Sequence, residues 1–527
     1  MGLAAVAVVT VMAPTTGSTA APTAAGPVCE RRQNNTYAKL LECVGVAGVR
    51  KHQAALQAVA DANGGNRFSG LAGYDGSVDY VVSTLRAAGY TPVVQEFDYL
   101  AFEVAGPSSL QQTQPNPTTY VEGVDFGAIT QSDPGDITAS VTPVDLALGL
   151  GNASTSGCDV GDFAGFPAGD IALLQRGTCT FEIKAENAAA AGAVGIVIFN
   201  QGNTDAADRQ GIPAVTLSAN NTSGIPVIGT TYALGAELAA TPALEMRVFA
   251  NTLRQILPTA NVLAEKKGIN TDNVVMAGAH LDSVLAGPGI NDNGSGSAAV
   301  LETAVQIAKL KPVNTLRFAW WGAEESGLVG STNYVNGLSA EEKDRIALYL
   351  NFDMIGSPNY IQMVYDSDES GFAAPVTVPP GSVAIEDLFE SFYTLRSEPY
   401  DDAEFSGRSD YQAFINNGIP AGGLFTGAEV PKTAEQQSIW GGTAGAQYDP
   451  CYHAACDTFA NVSTDALAIN SDAVAFAVLT YAFSTEAVNG VPGEPVPGDL
   501  VIPPPAGPQG TVGSGGGGAE DKHLPSS

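Results

Sequence analysis

The stretch Val274-Val275-Met276-Ala277-Gly278-Ala279-His280-Leu281-Asp282-Ser283 is an apolar run that ends on an imidazole and a carboxylate. A short apolar run without polar alternation reads as a strand buried on both faces. The chain continues through Gly289-Ile290-Asn291-Asp292-Asn293-Gly294-Ser295-Gly296-Ser297 into a helix expected over 297–310. A strand over 315–321, a helix over 328–336 and a strand over 346–352 follow. Strand, helix and strand at this spacing predict βαβ units and an α/β fold with a mixed, largely parallel sheet. In open α/β sheets ligands bind outside the carboxyl ends of the strands, so residues leaving these strands are candidate site residues.

Four segments qualify, three of them at strand ends. His280 leaves the first strand with Asp282 two residues later, placed to orient its ring. The glycine-rich segment around Asp292 has no following Lys, so it is not a phosphate-binding loop, and it carries an acid instead. Trp320-Trp321-Gly322-Ala323-Glu324-Glu325 and Asn351-Phe352-Asp353 complete the set. Far downstream, Cys451-Tyr452-His453-Ala454-Ala455-Cys456-Asp457 adds a second imidazole. Singly, each has a structural reading: a hydrogen-bonded strand-end His, a solvated Glu pair, a capping Asp. Jointly they supply two His, two Asp and one Glu, with a second Glu beside them. A carboxylate-bridged pair of divalent metals needs about that set. Zinc suits mixed imidazole and carboxylate ligation best, with cobalt or manganese as substitutes.

Composition narrows the alternatives. The 527 residues carry 55 acidic and 23 basic side chains, for a formal charge of −32. So acidic a chain repels phosphate backbones and anionic lipid surfaces, which argues against nucleic acid and polybasic membrane docking. Hydrophobic residues make up 45%, enough to bury a sizeable core. There is no Gly-x-Ser-x-Gly nucleophile elbow, and His52 and His523 lie outside any plausible site, which disfavours serine hydrolysis. The six cysteines form three local groups, Cys29 with Cys43, Cys158 with Cys179, and Cys451 with Cys456. Six cysteines allow 15 pairings, but the even count and close spacing read more easily as short-loop disulfides than as metal or redox thiols.

Residues 1–26 read as an export leader, with an apolar run at 3–13 and small-residue sites after it. A first segment of the main domain is expected over 29–105, with helices at 49–62 and 78–88 (Ser77 as N-cap, Gly89 as stop) and a strand at 91–99. Residues 106–250, rich in Thr, Ser, Pro, Gly and Asp, read as a small, mostly β inserted domain. The metal-binding segment spans 251–488. Residues 489–527, rich in Pro and Gly, read as a disordered tail.

At these residues the sequence resembles the secreted double-zinc aminopeptidases of the aminopeptidase S and aminopeptidase Y type, which are leucyl aminopeptidase-like. The likeness runs from about residue 34 to 487. It includes Gly65-Asn66-Arg67, the four strand-end segments, Gly407-Arg408-Ser409-Asp410 and Cys451-Tyr452-His453. It implies a three-layer αβα zinc-peptidase domain with two zinc ions per chain. His280 and Asp353 would hold one zinc, Glu325 and His453 the other, and Asp292 would bridge them. Glu324 would be the general base, Tyr452 would stabilise the oxyanion, and Arg408 would help fix the free N-terminus or serve in a structural salt bridge. Tyr411 stands where some relatives carry His. The stretch 169–195 resembles a protease-associated (PA) domain, which would split the peptidase domain into two sequence segments. The resemblance implies a secreted, monomeric enzyme that acts on peptides or proteins, preferring apolar N-terminal residues such as Leu. A metal carboxypeptidase, a single-zinc glutaminyl cyclase and a non-catalytic binding ectodomain are the competing readings.

Overall fold

Strands and helices begin and stop where the sequence supplies the chemistry for it. The computed structural model describes residues 28, 29, 31–213 and 216–512. The expected leader therefore lies outside the described residues. The principal sheet has eight strands, here β1 (Val93–Val104), β2 (Thr252–Lys266), β3 (Asn270–His280), β4 (Asn314–Trp321), β5 (Ile346–Phe352), β6 (Met363–Tyr365), β7 (Asp401–Ala403) and β8 (Ala421–Phe425). Their spatial order is β1-β2-β4-β3-β5-β8-β6-β7. The β3–β4, β3–β5, β5–β8 and β6–β7 pairs are parallel, and the rest are antiparallel.

Alternation along each strand feeds two hydrophobic layers. Val275, Ala277 and Ala279 of β3, with Phe318 and Trp320 of β4, pack on one side. There they meet α1 (Val46–Ala62), α2 (Ala72–Ala88), α3 (Gly294–Gln306), α5 (Ser382–Arg396) and α6 (Thr464–Phe483). Val274, Met276, Trp321 and Tyr349 face the other side, against α4 (Val329–Gly337) and the short helix Tyr411–Ile415. The result is the expected three-layer αβα arrangement. Helix α6 is apolar enough and long enough to cross a membrane, but 78% of its apolar window is buried inside the protein, as befits a core helix.

β1 and β2 pair along their whole length, from Val93↔Leu263 to Val104↔Thr252, and so carry the chain out to the intervening segment and back. Within that segment, residues 109–250 form a second eight-stranded sheet, flanked by helices Phe181–Ala190 and Tyr232–Ala240. The three local cysteine pairs are disulfides: Cys29–Cys43, Cys158–Cys179 and Cys451–Cys456.

Two expectations need correction. Helix α2 starts at Ala72 behind Leu71, not at Ser77, whose hydroxyl instead bonds back to the Gly73 carbonyl inside the helix. Residues 513–527 of the expected tail lie outside the described residues, but 489–512 do not run free. Val496 and Ile502 pack on the first hydrophobic layer and Val512 on the second. Gly507 N donates to the Tyr400 hydroxyl, and Gly510 N and Thr511 N donate to the Asp401 carboxylate. Prolines pre-extend this segment, so docking it through these contacts and hydrogen bonds sacrifices little chain entropy.

Candidate metal centre

The centre is assembled by four strand or helix ends and one disulfide loop. His280 is the last residue of β3, and its ring is almost fully buried. Its Nδ1 lies 3.5 Å from Asp282 Oδ1. Asp282 also accepts the backbone N–H groups of Glu324 and Glu325, so one carboxylate positions both the imidazole and the turn carrying the two glutamates. Asp292 stands just before α3. Asn293 caps that helix by accepting from Gly296 N while donating to the Phe352 carbonyl, which locks the start of α3 to the end of β5. Only glycine fits at 296, because a Cβ there would collide with that same carbonyl.

The two oxygens of Asp292 face different histidines. Oδ1 is 3.2 Å from His280 Nε2, and Oδ2 is 3.3 Å from His453 Nε2. The same Nε2 atom of each histidine also faces a second carboxylate: Asp353 Oδ1 at 3.3 Å from His280 and Glu325 Oε2 at 2.9 Å from His453. Glu324 Oε2 lies 3.9 Å from His280 Nε2. The backbone at Ala323, Met354 and His453 is left-handed, with φ of 55°, 47° and 53°. Such strain persists only where surrounding structure over-determines it, and it clusters at functional sites.

Electrostatics shows what this cluster lacks. Burial, reinforced by Asp353, Asp410 and Glu325, pushes the Glu324 carboxyl well above its ordinary range despite His280. Burial and Asp292 push Glu325 up to about 7. Burial alone would lower both histidines, but the surrounding carboxylates outweigh it and raise them well above the usual imidazole value. Asp353 Oδ1 and Glu325 Oε1 are buried without a hydrogen-bond partner. A crowd of carboxylates and two imidazoles with orphaned oxygens at its centre calls for cations, and the donor set fits zinc.

The supporting residues come from distant segments. Asp457 accepts the N–H groups of Asn291 (2.8 Å) and Asp292 (2.9 Å), fixing the bridge position from the loop that also carries His453. Ser409 donates to Asp353 Oδ2 at 2.6 Å. Behind it Trp321, Tyr349 and Asn351 form a hydrogen-bonded chain to the Ser409 hydroxyl. Arg67, fully buried, donates to the carbonyls of Leu281, Pro288 and Gly289 and so clamps the loop between His280 and Asp292. Tyr452 stacks on His453 with ring centres 3.8 Å apart. Arg408 donates to its hydroxyl at 3.1 Å and to Glu429 at 2.7 Å. His52 is elsewhere, between Tyr80 and Glu302 in the helical layer, and is structural.

Sequence reading thus finds His280, Asp282, Asp292, Glu324, Glu325, Asp353, Arg408, Tyr452 and His453, and the fold brings all of them together. It does not assign Ser409, Asp457, Glu429 or Arg67 their parts. Asp457 directly follows the disulfide, which was the one available signal. A cavity opens onto the centre, lined by Asp292, Glu324, Asp353 and His453 at one side and by Met363, Tyr365, Phe372, Phe425 and Val430 among others.

Fold and site point to a hydrolase whose carboxylates and imidazoles form a candidate metal centre, and the comparisons place it further. Residues 261–478 match the model of peptidase family M28, and residues 138–238 match the PA domain. An aminopeptidase of Pseudomonas aeruginosa is 54% identical over 85% of this chain and 83% of its own. A probable leucine aminopeptidase 2 of Trichophyton verrucosum is 39% identical over 87% of each chain. The solved structure of a zinc aminopeptidase from Bacillus subtilis aligns with a TM-score of 0.53 and 26% identity, over 82% of this chain and 94% of that one. The chain belongs to peptidase family M28.

Proposed function

We propose that this M28 aminopeptidase holds two zinc ions and removes apolar N-terminal residues, Leu among them, from peptides and proteins outside the cell. The observation that carries the reading is the divided Asp292 carboxylate, with one oxygen toward the Nε2 of each histidine and a second carboxylate beside each of those nitrogens. His280 and Asp353 would hold one ion and His453 and Glu325 the other, with Asp292 shared between them. Bound there, zinc lowers the pKa of water and polarises the scissile carbonyl.

The chain's own groups do the rest. Glu324 takes the proton of the attacking water and passes it to the leaving amine. Burial raises its affinity for a proton, so taking one from water is less uphill than it would be for an exposed carboxylate. Tyr452, held protonated by burial and by Asp292, accepts from Arg408 and keeps its own O–H free to donate to the developing oxyanion. Arg408, tied to Glu429, fixes that tyrosine and the adjacent rim. The acidic lining favours a substrate with a free ammonium group, and the apolar wall accepts its first side chain. The three disulfides support an oxidising destination.

Release of chromophore from leucine-p-nitroanilide, but not from its N-acetylated counterpart, tests this reading. Activity abolished by o-phenanthroline and restored by added zinc is the expected result. Equal cleavage of both substrates, or activity indifferent to chelation, would overturn it.

A further inference from the structure

The cavity lining includes Phe372, Asp402 and Ala403, and Asp402 belongs to a second group of carboxylates. Asp366 and Asp368 lie in the loop after β6, Glu386 and Glu390 one turn apart on α5, and Asp402 on β7. Oxygens of Asp366, Asp368 and Glu386 lie within 4.8 Å of one another, and so do those of Glu386, Glu390 and Asp402. Glu386 is only 3% exposed and Asp402 5%. The charged groups that act on Glu386, Glu390 and Asp402 are all carboxylates: Asp366, Asp368, Asp387, Asp401 and each other. Burial and that mutual repulsion push Glu386 up to about 9 and Glu390 and Asp402 each to about 7. Asp402 Oδ1 is buried with no hydrogen-bond partner. Buried like charges with an orphaned oxygen are costly unless a cation joins them.

The loop has the sequence Asp366-Ser367-Asp368-Glu369-Ser370-Gly371. Acids at positions 1 and 3, a polar residue at 5 and glycine at 6 follow the spacing of calcium-binding loops. The N–H groups of Gly371 and Phe372 turn back onto Asp366 Oδ2, and a Cβ at Gly371 would press within 2.7 Å of Asp402 Oδ2. The donors are all hard oxygens, with no imidazole or thiolate. Oxygens at about 2.3–2.6 Å from an ion stand up to about 5 Å apart across it, which suits the observed spread.

We propose that Asp366, Asp368, Glu386, Glu390 and Asp402 form a calcium site, separate from the His280–His453 centre, that ties the 366–372 loop to α5 and β7. Calcium there holds Phe372 in the wall of the substrate cavity, so its effect on activity falls on KM for apolar N-terminal residues.

Calorimetric titration of the zinc-loaded, calcium-free protein with calcium chloride tests the site directly, with zinc content checked before and after. At least one calcium per chain, saturable and without zinc loss, is expected. At a calcium level ~100-fold above Kd the melting midpoint should rise by ~2–3 °C. Glu386→Gln and Asp402→Asn should each remove the heat and the thermal shift. Absence of saturable binding in the wild-type protein, or binding unchanged in both variants, would overturn the proposal. Terbium luminescence of the wild-type protein supplies a readout that needs no variant: emission sensitised by nearby tyrosine and displaced by calcium is expected, and its absence counts against the site.

Discussion

At the scale of single residues, Asp292 joins the two halves of the centre and Glu324 stands beside it without facing a histidine closely. Replacing Glu324 by Gln preserves shape and leaves the proposed ligands in place. That variant should keep its zinc and lose ~10²–10⁴-fold in kcat, checked by metal analysis beside steady-state kinetics. Ser409→Ala removes the donor to Asp353 and should lower zinc affinity or activity by roughly 10–100-fold without unfolding the protein. The sequence makes the first of these residues legible and the second not. Glu324 follows an apolar strand within a few residues, whereas Ser409 meets Asp353 across 56 residues and Asp457 meets Asp292 across 165. Strand ends announce themselves locally, but partners brought by a parallel crossover do not.

At the scale of elements, the loop from β3 to α3 depends on Arg67, whose guanidinium binds three carbonyls with no exposure to water. Arg67→Met should destabilise the protein by ~3–5 kcal/mol, because three buried acceptors and nearby carboxylates lose their cation at once. Denaturant unfolding reads that loss. The Cys451–Cys456 disulfide closes a very short loop, so chain entropy gives it only ~2 kcal/mol of stability. Its larger effect is to hold His453 in a left-handed conformation. Changing both cysteines to Ser should therefore cost zinc retention and activity out of proportion to the change in melting temperature. Element type was readable from the sequence along β3, β4 and β5, where apolar runs and glycine stops agree. The start of α2 was not, because Ser77 serves as well inside a helix, bonding to the carbonyl four residues back, as at its N-cap.

At the scale of the whole molecule, an inserted sheet, a docked tail and two groups of carboxylates share one framework. Pro-rich composition suggested a free tail, yet Val496, Ile502 and Val512 find complementary surface that only the completed fold provides. The acidic balance has its own consequence for stability. Glu386, Glu390 and Asp402 bind protons more tightly in the folded chain than in the unfolded one. In zinc-loaded, calcium-free protein their contribution to stability should fall as pH rises from about 4.5 toward 9, because the folded state holds the extra protons through that window. Calcium should flatten that slope, as melting curves across the range would show. The proposed function depends most on two metal ions bridged by Asp292. Zinc per chain, measured by mass spectrometry on the wild-type protein and on Asp292→Asn, tests it most directly. Two zinc ions in the wild type and one or fewer in the variant, with activity lost, is the predicted result. A fully active wild type with a single zinc, or a variant that still holds two, would contradict it.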